Sequence, residues 1–108
     1  MALENVNEVD AISTDNEEKK VILTIIDELK WDDEYNHLKL IQDKVNNYLN
    51  FIECNEVYEV YPTAKGKEIE IEIYSKYDLT LNAKKFMNIL KEFLKENGYG
   101  FTCRRVDA

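Results

Sequence analysis

The only histidine of the chain, His37, follows Asp33 by four residues in a stretch that also holds Asp32 and Glu34. Four residues is about one helical turn, so a carboxylate and an imidazole would share a face there and could hold a cation or pass a proton. Two ligands do not complete a zinc site, and no cysteine or second histidine stands nearby. The simpler reading of Asp32, Asp33 and Glu34 is a helix start, where each negative charge is favourable by about 0.3–1 kcal/mol. No metal site is assigned, and a metal-binding or hydrolytic protein using Asp33 and His37 is kept as an alternative.

Nucleophilic chemistry would need a cysteine within reach of His37. Cys54 falls on the same helical stretch, roughly 25 Å away by the rise per residue, and is excluded. Cys103 stays geometrically open. The two cysteines have no metal spacing and are expected to be reduced, core or half-buried thiols. Gly66, Gly98 and Gly100 are isolated, and none opens a helix after a strand, so no phosphate-cradling loop is present. No catalytic residue and no cofactor are assigned.

The remaining candidates are surfaces. Glu68, Glu70 and Glu72 alternate with Ile69, Ile71 and Ile73, which is the pattern of a strand with one face buried and one in water. That carboxylate row, continued by Tyr74, could recognise a basic partner, and Tyr58 and Tyr61 form a second patch. A solvated sheet face explains the same alternation.

The net charge is −8, from 14 Lys plus Arg against 22 Asp plus Glu. Such a field repels phosphate backbones and anionic membrane surfaces, so neither nucleic acid nor membrane is an expected partner. The charge is uneven: 1–18 carries six carboxylates without a Lys or Arg, whereas basic residues lead from Asn82 onward. Opposite ends could attract each other, or draw two copies together as a homodimer. The longest apolar run, Val21 to Ile26, falls far short of the roughly 20 residues that span a bilayer. Without a basic, apolar N-terminal stretch no secretory leader is expected, and a cytoplasmic location is.

Residues 6–13 and 20–29 read as strands joined by a polar turn, hence an antiparallel hairpin. Tyr35, Leu38, Ile41, Val45, Tyr48, Leu49 and Ile52 recur at helical spacing and predict a helix over 33–54, capped by Asp32 or Asp33 and stopped at Asn55. Residues 56–67 read as a short extended piece and a turn at Pro62 and Gly66. After the Ile-rich strand, Ala83, Phe86, Leu90, Phe93 and Leu94 predict a second helix with these residues facing inward, begun at Thr80 or Asn82 and closed at Gly98, before a strand over 99–106. The expected fold is α+β: a single-domain, two-layer sandwich in the order strand, strand, helix, strand, helix, strand. One mixed sheet would carry both helices on one face, since covering both faces would bury three carboxylates. Residues 1–5 are left outside the expected order.

With Trp31-Asp32-Asp33-Glu34, His37-Leu38, Lys44, Tyr48-Leu49, Tyr58, Tyr61-Pro62, Gly66 and the Ile-rich strand, the chain resembles a family of small uncharacterised bacterial proteins. The resemblance runs from Val9 to Phe101 and implies a bacterial, intracellular, stand-alone domain. It transfers no catalytic residue. Trp31 and Pro62 fit structural roles, an aromatic packed where strand meets helix and a rigid turn before a strand. The leading expectation is a non-enzymatic interaction or regulatory module, such as an adaptor or inhibitor, acting on an unknown protein partner. A structural homo-oligomer is the third possibility.

Overall fold

The computed structural model describes residues 9–15, 17 and 19–105. Strands β1 (Ala11–Asp15) and β2 (Lys20–Asp27) pair antiparallel, with Ile12 opposite Leu23. Helix α1 (Glu34–Glu53) and a short helix α2 (Glu56–Val60) lead to β3 (Glu68–Ser75), which lies parallel to β2. Helix α3 (Leu81–Glu96) then leads to β4 (Gly100–Arg105), parallel to β3. The sheet order is β1-β2-β3-β4. The architecture is α+β, one mixed sheet with both long helices on one face.

The alternation of side chains along the strands decides that face. Val21, Leu23, Ile25, Ile69, Ile71 and Ile73 are buried in one cluster with Ile41, Val45 and Tyr48 of α1 and Met87, Leu90 and Leu94 of α3. Leu23 lies beside Ile71, and Ile71 beside Phe101, so the inward rows run across three strands in register. Parallel neighbours require long crossovers, and both crossovers here are helical.

The helix ends follow local chemistry. The Asp33 side chain accepts from the Asn36 N–H, and Asn55 ends the α1 region with a left-handed φ of 66°. Thr80, rather than Asn82, caps α3 by accepting from the Ala83 N–H at 3.1 Å. At the other end Gly98 has φ 88°, the Gly98 N–H donates to the Lys95 carbonyl and the Tyr99 N–H to the Leu94 carbonyl. This double bond pattern satisfies carbonyls that the last turn leaves open.

Four expectations need correction. Residues 56–67 hold α2 and a 3-10 turn at Pro62–Ala64 instead of an extended piece. The left-handed Asn55 redirects the chain, Val57 is buried, and proline's fixed φ suits the first position of a helical turn. The first strand spans Ala11–Asp15, two residues beyond the expected end, because Thr14 and Asp15 pair with Val21 and Lys20. The expected residues 6–8 lie outside the described ones. Strand β2 ends at Asp27, where the side chain accepts from the Leu29 N–H and turns the chain toward α1. Finally, Glu72 is not in water: it is 5% exposed, while Glu68 is exposed and Glu70 half-buried.

Candidate functional site

Strands β2, β3 and β4 point their carboxyl ends the same way, and α1 begins beside the end of β2. Open parallel sheets gather ligands outside those ends. There a cleft of about 460 Å³ is lined by Glu28, Lys30, Asp32, Asp33, His37 and Tyr77, among others.

His37 is 2% exposed and its Nε2 lies 2.6 Å from Asp27 Oδ2, a carboxylate equally removed from water. Trp31 stacks on the imidazole with ring centroids 3.6 Å apart. Burial raises the Asp27 carboxyl above its ordinary value, and the hydrogen bond and charge of His37 offset part of the rise. His37 Nδ1 and Trp31 Nε1 are buried without a hydrogen-bond partner among the described residues. The carboxylate that bonds His37 is thus Asp27, not Asp33. Asp33 is exposed on the rim of the same cleft, where it caps α1 and bonds Asn36.

Asp27 is the residue that spacing failed to single out. It continues the inward row Val21, Leu23, Ile25 by two more positions, so the alternation points it at the core. A second buried pair lies farther along α1. Lys44 Nζ is 2.9 Å from Asp10 Oδ1 and wholly buried. Asp10 Oδ2 accepts from the Ile26 N–H, and the Asp10 N–H donates to the Tyr48 hydroxyl. Tyr48 in turn donates to the Thr24 carbonyl at 2.6 Å. This network ties the start of β1 to β2 and α1.

Nucleophilic catalysis through His37 would need a thiol within its reach, and Cys103 is not placed as one. It is half-buried and lines a neighbouring cleft with Ser75, Lys84 and Arg105 rather than the His37 cleft. Burial, with a smaller effect of the Asp27 charge, pushes its thiol up to about 11, the reverse of activation. Cys54 is exposed, contrary to the expected core or half-buried thiol, because it follows the last turn of α1. Among the described residues no three His, Cys, Asp or Glu side chains are grouped to hold a metal ion.

The outer sheet face carries the Glu row together with its counterions. Lys20 Nζ is 3.4 Å from Glu70, and Arg104 Nε is 3.6 Å from Glu72. The row is therefore partly neutralised by the flanking strands. Tyr61 faces the helical side and bonds Thr14 at 2.6 Å, and Tyr58 packs against the core, so the structure does not gather the tyrosine patch onto the Glu face.

Apolar side chains are also exposed on the helical layer. Between α1 and α3 a groove of about 240 Å³ is lined by Gln42, Val45 and Asn46 of α1 and by Phe86, Ile89, Leu90 and Phe93 of α3. Ile89 is 68% exposed and Phe93, one turn later, 47%. The period that turns Ala83, Met87, Leu90 and Leu94 inward carries Phe86, Ile89 and Phe93 onto the flank toward α1. Phe93, expected to face inward, is thus exposed instead, because the apolar stripe of α3 is wider than its core contact needs.

No helix among the described residues is long and apolar enough to cross a membrane. No curated protein and no solved structure matches the chain. Residues 1–107 match the model of one protein family, described as a family of unknown function.

Proposed function

The chain belongs to that family, DUF6572, and from this starting point we propose that it is a non-enzymatic protein-interaction module that engages its partner through the apolar groove between α1 and α3. The observation that carries the reading is the exposure of Ile89 and Phe93 on the apolar α3 wall of a groove whose α1 wall sets Val45 between the amides Gln42 and Asn46. Full burial of such side chains is favourable by roughly 1.5–3 kcal/mol each, and about half of that is still unrealised here. On the sheet face only Glu68 of the Glu row is exposed, and a surface ion pair there could return at most about 1 kcal/mol. Glu70 and Glu72 already face Lys20 and Arg104. The groove therefore outweighs the Glu face as a source of binding energy. Exposed apolar patches of this kind mark contact surfaces, and aromatic anchors dominate their energetics.

The test is affinity capture from native lysate with three baits: the wild type, Ile89→Glu/Phe93→Glu, and Glu68→Lys/Glu70→Lys, which leaves the buried Glu72 in place. A protein held by the wild type and by the sheet-face variant, but lost by the groove variant, is the expected result. Equal capture by the groove variant would sink the groove reading, and selective loss in the sheet-face variant would move the contact to the Glu row. Circular dichroism of each bait excludes misfolding as the cause of any loss.

A further inference from the structure

Building on the groove reading, we infer that its occupant is a second copy of this chain, with α3 of one protomer lying antiparallel on α3 of the other. The residues on the outward flank of α3 supply the reason. At 100° per residue, Lys85, Glu92 and Glu96 fall beside the Phe86, Ile89, Phe93 stripe on the side away from the core, and all three are exposed. Their order along the helix is polar: the cation lies before Ile89 and the two carboxylates after it. Two such helices paired antiparallel about Ile89 set each Lys85 within a turn of the partner's Glu92 and Glu96, twice over. Paired parallel, they would set lysine on lysine and glutamate on glutamate. The flank is self-complementary in one direction only.

The apolar residues obey the same symmetry. An antiparallel pairing centred near Ile89 brings Phe86 of one protomer against Phe93 of the other, since the two lie at similar distances on opposite sides of the centre. Every contact is then made twice, as a two-fold interface requires. Each protomer's groove, walled on its other side by Gln42, Val45 and Asn46 of α1, receives the partner's Ile89 and Phe93. The sheets remain outermost, giving a four-layer β-α-α-β assembly in which neither Glu row takes part in the contact.

Sedimentation equilibrium of the full chain from about 10 μM to about 1 mM tests this. The wild type should approach twice the 12.8 kDa of one chain, and Ile89→Glu/Phe93→Glu should stay monomeric. Lys85→Glu should weaken the dimer by at least roughly twofold and up to about 30-fold, from two exposed ion pairs lost. Adding Glu92→Lys and Glu96→Lys to Lys85→Glu should restore it. A wild type that is monomeric at about 1 mM overturns self-association while leaving the groove reading to the capture experiment, where a foreign amphipathic partner would be its occupant. A dimer that survives the groove variant uses another face and overturns the inference. A dimer insensitive to Lys85→Glu overturns the antiparallel arrangement.

Discussion

Asp27 is costly to bury, and its ionisation should be visible in the stability of the protein. A carboxyl raised above the ordinary 3.8 holds its proton more tightly in the folded chain than in the unfolded one. Folding is therefore favoured by this group below the ordinary value, and that contribution is lost as pH rises through the raised one. Asparagine keeps a hydrogen bond to His37 and cannot ionise. The stability of the wild type relative to Asp27→Asn is expected to be greatest below a pH of about 4 and to fall toward neutrality, read as urea midpoints along a pH series. A difference that stays constant across that range would show that the carboxyl carries no net shift. His37 attracted attention as the lone imidazole, but its partner lies ten residues earlier at a strand end, beyond any helical spacing. Lys44 shows the same limit. A lysine on an amphipathic helix reads as solvated, and the carboxylate of Asp10, just before β1, helps to make its burial tolerable.

The long elements were legible because several independent cues agreed on each. In α1 and α3 the apolar period, a capping Asp33 or Thr80 and a terminating Asn55 or Gly98 all mark the same boundaries. The five-residue α2 escaped because only Val57 is fully buried, and one buried residue has no period. Glu72 escaped because alternation assigns a face and says nothing about what neighbouring strands place over it. It is buried beside Arg104, whose strand is joined to β3 only by the tertiary fold. The Gly98 terminus yields a direct prediction. A methyl group there meets nothing within 4 Å, so Gly98→Ala should cost only the backbone penalty of a left-handed residue, about 1–2 kcal/mol. A lowered urea midpoint with an unchanged slope is the expected result, and an unchanged midpoint would mean that the turn can relax out of its positive φ.

Strand order was the least accessible property, since side-chain alternation identifies the two faces of a strand and leaves its neighbours open. At the scale of the whole molecule the net charge of −8 sets a further test. Two copies repel over long range, and raising salt from about 0.1 M to about 1 M shortens the screening length from about 10 Å to about 3 Å. The Lys85 contacts weaken under the same change, but each is worth no more than about 1 kcal/mol. The apolar contact persists. Self-association measured by sedimentation should therefore tighten with salt, and loosening would show that the ion pairs dominate. One consequence of the order β1-β2-β3-β4 concerns synthesis rather than the finished molecule. Because position in the sheet follows position in the chain, each strand leaving the ribosome finds the edge it needs already formed, and nothing has to be threaded between earlier strands. The vulnerable moment comes last. Until Gly100–Arg105 emerges, the isoleucine-rich β3 is itself a bare edge, so a stalled or truncated chain would present its stickiest strand to its neighbours.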